Sequence, residues 1–188
     1  MTRSLKQNFL KEYDIKVIDN QVCPVCKKRS LTLRDITTKI PNFGVVFIYS
    51  MECHNCKFYR SDIEFEKKAE VRYCINVENE KDLYIKIAKS SNAKVKIGNI
   101  ITIEPGPASQ GYITNVEGLL RRVKRVLEIK YKDEDDQKKR SKLKRMIKKI
   151  NNVMMGRDKI RIIITDPTGN SAVISEKAIK NQKQNKKG

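Results

Sequence analysis

Alternating apolar and polar positions along the chain predict several β-strands. Two β-prone runs come first, and the sequence "KIPNFG" between them predicts a turn that joins them in a hairpin; they are Leu31 to Thr37 and Val45 to Met51. Further strand-like segments cover residues 71–78, 94–104, 159–165 and 172–175. The run from Asp82 to Ser90 fits either a short helix or another strand, and "DPTGNS" at 166–171 predicts a tight turn.

The period changes to that of α-helices after residue 113. Apolar side chains recur on one helix face at Val116, Leu119, Leu120, Val123, Val126 and Leu127, and again at Leu143, Met146, Ile147, Ile150 and Val153. Thr114 and Glu117 predict a T-x-x-E capping box at the first helix start. The acids at 133–136 suit the N-terminus of the second helix, although a cluster of acids is also typical of metal sites.

These elements predict a mainly β chain with an α insertion, in the α+β class. We expect an N-terminal extension over residues 1–20, a cysteine-bearing β unit over 21–61 and a β domain over 62–176, with a helical hairpin inserted at about 115–154. Residues 177–188, "KAIKNQKQNKKG", show no apolar period and predict a basic disordered tail.

The positive charge is concentrated in two segments. The chain carries a formal net charge of +19, to which residues 121–150 contribute 14 Lys/Arg against 5 Asp/Glu and residues 177–188 contribute 5 Lys with no acid. Such concentration favours a polyanion or an acidic protein surface as partner, because local positive potential steers association and releases counterions from phosphates. Solvated lysine-rich helices are the alternative explanation.

Four of the five cysteines form two C-x-x-C pairs, separated by 26 residues. This spacing suits a zinc ribbon, in which two cysteine-bearing turns meet around one tetrahedral metal. Four thiolates close the coordination shell, so we predict one structural Zn²⁺ with no open position for water or substrate. The predicted ligands are Cys23, Cys26, Cys53 and Cys56.

Other uses of paired cysteines fit the sequence less well. A thioredoxin-like redox pair needs one C-x-x-C in a βαβ setting, and a disulfide framework conflicts with the lack of a signal peptide at the start of the sequence. An iron–sulfur cluster also uses four cysteines and stays open on sequence alone.

The remaining chemistry-bearing residues do not assemble a catalytic set. His54 is the single histidine and lies inside the second C-x-x-C pair, where we expect an exposed position. Cys74 lies in an alternating run and is expected to be a small buried strand residue with no histidine to activate it. We therefore expect a binding protein and not an enzyme, with no small-molecule substrate.

Five separated motifs, "CPVC", "TKIPNFG", "ECHNC", "TNVEGLL" and "DPTGNS", occur in the order found in the ZPR-type zinc-finger family, and over residues 21–175 the chain resembles its members. The resemblance implies a four-cysteine zinc ribbon followed by a double-stranded β-helix that bears a helical hairpin. Eukaryotic members carry two such modules, whereas this chain has one, as archaeal members do. One departure is that Lys27 and Lys57 replace the glycine usual after each C-x-x-C, where φ is often positive.

The resemblance implies a role in binding translation elongation factor 1-alpha, as an adaptor or chaperone. On this interpretation the contact surface is formed or supported by the ribbon and by the start of the first helix, with Thr114, Glu117 and Gly118. The alternative is an RNA- or ribosome-associated protein that binds phosphates through the basic hairpin and tail, with Lys144, Arg145, Lys148 and Lys149 on the outer face of the second helix.

The chain has no apolar run long enough to span a bilayer, so we expect no membrane association and a cytoplasmic location.

Overall fold

The computed structural model describes residues 13–40, 43–66 and 69–182. In these residues the chain forms a four-stranded sheet, then two further sheets with two packed helices. The strands are β1 (Tyr13–Val22), β2 (Arg29–Ile40), β3 (Gly44–Cys53), β4 (Tyr59–Phe65), β5 (Val71–Val77), β6 (Lys86–Lys89), β7 (Lys94–Ile97), β8 (Ile101–Ile103), β9 (Tyr112–Asn115), β10 (Ile160–Asp166), β11 (Ala172–Ile174) and β12 (Ile179–Gln182). The helices are α1 (Val116–Lys132) and α2 (Gln137–Met154).

The ribbon sheet is antiparallel with the order β1-β2-β3-β4. The predicted hairpin is confirmed in β2 and β3, whose register pairs Leu31 with Cys53; Pro41 and Asn42 of its predicted turn lie outside the described residues. The sheet is larger than the predicted 21–61. Residues 13–20, expected to be an extension, belong to β1 and pair with β2, because their alternating apolar residues can extend an antiparallel edge. Residues 1–12 lie outside the described part.

The β domain encloses the main hydrophobic core. One sheet has the order β12-β5-β10-β7-β8 and the other β11-β6-β9, and buried residues from both sheets and both helices form one cluster. β5 and β10 bury every second side chain, as strands with one face on a core do. The predicted segment 94–104 is two strands joined by a turn at Gly98, and 82–90 divides into a 3₁₀ turn, Glu80–Tyr84, and β6.

The helices pack as the predicted hairpin, with one correction at the first N-terminus. Asn115, not Thr114, caps α1, and its Oδ1 accepts a hydrogen bond from the amide of Gly118 at 2.8 Å. Asn115 directly precedes Val116, the first helical residue, whereas Thr114 lies one position further back in β9, paired with Ile87 of β6. At α2 the predicted role of the acids is confirmed, since Asp136 caps the helix through the amides of Lys138 and Lys139.

The prediction of a disordered tail from residue 177 is wrong for the part that the structure describes. β12 pairs with β5, and Lys177 donates to Asp82 at 2.8 Å. Ile179 in β12 stays 58% exposed, so the strand is held by backbone hydrogen bonds and by the ion pair before it, which leave no apolar period in the sequence. Residues 183–188 lie outside the described part.

A buried polar network joins the ribbon sheet to the β domain. The carboxylate of Asp166, fully buried, accepts hydrogen bonds from the hydroxyls of Ser90 and Ser171 at 2.7 and 2.6 Å. Across the junction, Asn170 accepts from the amide of Phe65 in β4 at 3.1 Å, and Ser91 bonds to Asp62. The loop 166–171 is thus the predicted connection between two strands, and it also attaches the ribbon.

Candidate metal centre

Two equivalent turns carry the four cysteines at one end of the ribbon sheet. In the first turn the amide of Lys27 donates to the carbonyl of Cys23 at 3.0 Å, and in the second the amide of Lys57 donates to that of Cys53 at 3.0 Å. A second bond closes each turn: the amide of Cys23 donates to Lys28 at 2.9 Å, and that of Cys53 to Phe58 at 2.8 Å. The repeated hydrogen bonds show that both C-x-x-C motifs form the same knuckle.

Lys27 and Lys57 adopt the left-handed conformation that glycine normally supplies at this position. Their φ angles are 61° and 60°. For a residue with a Cβ this region costs roughly 1–2 kcal/mol, so the knuckles form in spite of a local backbone preference. Lysine in place of glycine therefore adds strain to the knuckles, and both still close with the same hydrogen bonds.

The four sulfur atoms meet in a cluster that fits one tetrahedral ion. Sγ of Cys23 lies 3.7 Å from Sγ of Cys56, and Sγ of Cys26 lies 3.7 Å from Sγ of Cys53. All four sulfurs are within 4.8 Å of one another. A tetrahedral zinc ion with Zn–S bonds of about 2.3 Å places its sulfurs about 3.8 Å apart. The cluster therefore has the size of a single closed Cys₄ site, as the sequence predicted.

Groups around the sulfurs favour the thiolate form at Cys53 and Cys26 but not at Cys56. At Cys56 the hydrogen bond from the amide of Phe58 lowers the pKa, but burial and the other three thiols outweigh it and raise the pKa to about 11. Amides approach two of the sulfurs, that of Val25 at 3.4 Å from Cys23 Sγ and that of Cys56 at 3.5 Å from Cys53 Sγ. The amide of Cys56 and the hydroxyl of Ser30, 3.2 Å from Cys53 Sγ, lower the pKa of the Cys53 thiol to about 6. Ser30 was not predicted from the sequence, where its only signal is a hydroxyl four residues after Cys26.

The core around the cysteines is small. Cys23 and Cys53 are fully buried, Leu31 is 4% exposed, and Leu33, Met51 and Phe58 pack at their edge. Because these apolar side chains are few, their burial offsets little of the conformational entropy that the ribbon loses on folding. A zinc ion held by the four thiolates would supply the rest, because structural zinc sites contribute folding energy.

Two predictions about single residues are confirmed. His54 is exposed, and its Nε2 lies 3.1 Å from the hydroxyl of Thr32 and outside the sulfur cluster. Cys74 is a buried residue of β5, where Nε of Arg161 lies 2.7 Å from its sulfur.

The residues predicted to contact a partner fall into two places. Thr114, Glu117 and Gly118 lie at the β9–α1 junction, half-buried, where Glu117 pairs with Arg121 at 2.7 Å and a Cβ at Gly118 would collide with Oγ1 of Thr114. These contacts give each of the three a structural role. The four cations predicted on α2, Lys144, Arg145, Lys148 and Lys149, are all exposed, as are Lys138, Lys139, Arg140 and Lys142 of the same helix.

Comparison with known proteins agrees with this architecture. Residues 17–70 match the profile of the ZPR1 zinc-finger domain, and residues 81–187 match that of the ZPR1 jelly-roll domain. The chain belongs to the ZPR1 family. Its zinc site is the ZPR1 zinc finger, and its two facing sheets are the jelly roll, the architecture also called a double-stranded β-helix.

Archaeal ZPR1-like proteins resemble the chain over most of their length. An uncharacterised ZPR1-like protein of Methanocaldococcus jannaschii is 36% identical over 160 residues, which cover 82% of this chain and 79% of the relative. One from Pyrococcus horikoshii is 36% identical over 183 residues, 94% of this chain and 82% of the relative. The single module is thus shared with archaeal ZPR1-like proteins.

Eukaryotic ZPR1 proteins are longer. The zinc finger chaperone zpr1 of Schizosaccharomyces pombe is 28% identical over 158 residues, which cover 80% of this chain but 33% of the relative. Human zinc finger protein ZPR1 is 26% identical over 162 residues, 34% of its length. The chain therefore corresponds to about a third of these proteins.

In the described residues, no helix of this ZPR1 protein has the length and apolar character needed to cross a membrane.

Proposed function

We propose that this protein is a zinc-dependent adaptor or chaperone that binds a translation elongation factor of the 1-alpha type. The observation that carries the proposal is the apolar surface of the ribbon sheet. Val25 at the first knuckle is 60% exposed, and Ile15 and Val17, which share one face of β1, are 50% and 51% exposed. Exposed apolar side chains gathered on one unit are typical of protein-binding surfaces.

The resemblance to the family implies the elongation factor as the partner. The fission-yeast relative is named a zinc finger chaperone, which suggests the chaperone role. The ribbon suits such a role physically, because a closed zinc site and a continuous antiparallel sheet hold the apolar residues in fixed positions. A preorganised surface loses less conformational entropy on binding. Zinc would thus act by fixing the recognition surface.

We also propose that the protein has no catalytic activity of its own. The single His54 contacts Thr32 at the knuckle, and the sole group of metal ligands found in the described residues is the four-cysteine cluster, which leaves no coordination position for a substrate. The exposed apolar side chains of the ribbon suit a binding role instead.

The test is a titration of purified elongation factor with the zinc-loaded full chain in a calorimeter. We expect saturable binding that is lost when a chelator removes zinc, and a decrease of about 10-fold or more for Val17→Asp or Val25→Asp. Tyr84→Asp is the matched control: Tyr84 is 71% exposed but lies on the β domain. No binding to the elongation factor, or equal effects of all three substitutions, would contradict the proposal.

A second candidate function is favoured by the charge of α2. Lys144, Arg145, Lys148 and Lys149 are exposed, and none of them takes part in an ion pair in the described residues. Such a helix can contact phosphates of RNA or of the ribosome without reading sequence. The two functions are compatible, since an elongation factor works at the ribosome.

A further inference from the structure

The first strand of the ribbon sheet has an open edge. In the sheet order β1-β2-β3-β4, β1 lies at one end, and none of the described strands pairs with its outer side. Residues 13–18 pair with β2 in unbroken register, and the irregularity of the strand begins only at Asp19 and Asn20. The outer side of an edge strand carries unpaired backbone N–H and C=O groups, which can bind a further strand. The regular part of β1 is therefore a site where the sheet can be extended.

The side chains of this segment are exposed on both faces of the sheet. Ile15 and Val17 on one face are 50% and 51% exposed, and Ile18 on the other face is 54% exposed. Asp14 and Lys16 are also exposed, and neither takes part in an ion pair in the part of the chain that the structure describes. The segment thus offers both apolar surface and unpaired charge to a strand that extends the sheet.

A row of isoleucines crosses the sheet and ends at this edge. The registers place Ile15 opposite Ile36, Ile36 opposite Ile48 and Ile48 opposite Ile63. Ile63 is 3% exposed, Ile48 and Ile36 are half-buried, and Ile15 is 50% exposed. Side chains directly opposite each other in an antiparallel sheet contact each other, and β-branched residues suit such pairs. A strand that continues the row would therefore place an isoleucine or a similar residue opposite Ile15.

The charges on the other face select the register of such a strand. Asp14 and Lys16 flank Ile15 along β1. When Ile15 lies opposite Ile15 of an antiparallel second copy, each Asp14 lies opposite a Lys16, and opposite charges in such pairs are stabilising. A pairing centred on Asp14 or on Lys16 instead would set like charges directly opposite each other. Lysine on an edge strand normally hinders pairing, but in this register the aspartate of the second copy neutralises it.

β1 itself has what the added strand needs. It has a β-branched residue to continue the row, and beside that residue it has one acid and one base in the order that complements Asp14 and Lys16. We propose that β1 pairs antiparallel with β1 of a second copy of this chain, with Ile15 on the twofold axis, so that two ribbon sheets form one continuous sheet of eight strands. The inference goes beyond the proposed function and does not depend on it.

The positive charge of the chain lies mostly outside this contact. β1 carries two acids and one lysine, whereas most of the +19 charge lies in residues 121–150 and 177–188. Repulsion between those basic segments of two copies decreases with added salt. Six residues per strand make a small interface, so we expect a weak dimer with a Kd of about 10–100 µM.

Sedimentation equilibrium of the zinc-loaded full chain tests the proposal, at concentrations from about 5 to 500 µM in about 0.15 M salt. We expect the average mass to rise with concentration, reversibly, from that of one chain toward that of two. Asp14→Lys and Lys16→Asp should each weaken dimerisation about 10-fold or more, because each sets like charges opposite each other. Lys96→Asp changes the net charge as Lys16→Asp does, but Lys96 is exposed on β7 of the β domain, so this control should not weaken the dimer. A wild-type chain that remains monomeric, or a dimer that keeps its affinity in both β1 variants, would overturn the proposal.

A mixture of the two β1 variants tests the register. In a heterodimer of Asp14→Lys with Lys16→Asp, each charged side chain again lies opposite one of the other sign, so the mixture should dimerise about as tightly as the wild type. The double variant Asp14→Lys/Lys16→Asp should do so by itself. Variants that lose dimerisation through misfolding cannot recover it on mixing. Lack of recovery in both the mixture and the double variant would overturn the register.

Titrations with the elongation factor separate this proposal from the adaptor function. A chain that stays monomeric, with an Asp14→Lys variant that binds the elongation factor more weakly than the wild type does, would overturn the second copy as occupant and assign the edge to a strand of that partner. Dimerisation by a chain that does not bind the elongation factor would support the dimer and refute the adaptor function.

Discussion

Sγ of Cys26 lies 3.7 Å from Sγ of Cys53, although the two residues are 27 positions apart along the chain. The β2–β3 hairpin makes this approach possible, because its register places Leu31 opposite Cys53 and so brings both knuckles to one end of the sheet. A single metal ion bound by the four cysteines would join the two ends of the hairpin and hold the ribbon closed.

Loss of one ligand should release the zinc. Cys23→Ser or Cys56→Ser should lower bound zinc from one ion per chain to near zero and unfold the ribbon, because metal binding supplies roughly 10–16 kcal/mol of folding free energy in such sites. Atomic absorption of the purified proteins measures this. Cys74→Ser is the control and should keep its zinc, since Cys74 lies in β5 away from the cluster. Full zinc occupancy in either ligand variant would refute the four-cysteine site.

The knuckle lysines should limit the affinity for zinc. Replacing Lys57, whose φ is 60°, by glycine removes left-handed strain and should tighten zinc binding by about 1 kcal/mol, or roughly 5-fold. Chelator competition measures the change. Lys57→Ala removes the same charge but keeps a Cβ, so it should bind zinc as the wild type does. An equal gain from alanine would attribute the effect to charge.

The turn at Gly169 should tolerate no side chain. Its φ is 73°, and a Cβ there would collide with the backbone of Ala69. Gly169→Ala should therefore cost about 3 kcal/mol or more in the free energy of unfolding, measured with urea. Gly44 has a φ of 79° with nothing within 4 Å, so Gly44→Ala should cost about 1 kcal/mol from conformation alone. Equal costs at the two positions would show that the contact with Ala69 is unimportant.

Asp82 should make stability depend on pH. Burial by itself raises its pKa, but hydrogen bonds from Lys177 and from the amide of Glu78 outweigh burial and hold the pKa below its ordinary value. A pKa that is lower in the folded than in the unfolded state gives stability that is present above the unfolded value, about 3.9, and is lost as the pH falls below it.

Asp82→Asn should accordingly cost about 1–2 kcal/mol at pH 7 and little at pH 3. The measurement is the difference in unfolding free energy between wild type and variant at each pH. Because both proteins release zinc in acid, the contribution of zinc loss cancels in this difference. Asp158→Asn, whose carboxylate caps only its own neighbour's amide, should show no such change with pH. A difference that persists undiminished at pH 3 would contradict the assignment.

The basic face of α2 should set the salt dependence of any RNA binding. Replacing Lys144, Arg145, Lys148 and Lys149 by glutamine should flatten the slope of log affinity against log salt by roughly 0.7–0.9 per lost phosphate contact. Filter binding at several salt concentrations measures the slope. A control variant that removes four exposed lysines of the β domain, Lys81, Lys86, Lys96 and Lys159, should keep the wild-type slope. Equal slopes in all three proteins would make α2 a solvated surface only.

Local patterns predicted those parts of the structure that local interactions determine. Helix periodicity located α1 and α2, and the cysteine spacing located the metal site, because ligand chemistry is contained in short motifs. The cap of α1 was misassigned by one residue since Thr114 and Asn115 are both good caps, and the short motif does not specify that the helix begins at Val116.

Features built from distant residues left no signal in the sequence. β12 has no apolar period because backbone pairing with β5 holds it. Asp166 looked like an ordinary turn residue, and its burial depends on Ser90, 76 residues away.

X-ray absorption spectroscopy at the zinc edge of the purified full chain tests the central claim most directly. The account predicts one zinc ion per chain with four sulfur neighbours at about 2.3 Å and no lighter ligand. A first shell that contains nitrogen or oxygen, or a protein that purifies with iron in place of zinc, would contradict it.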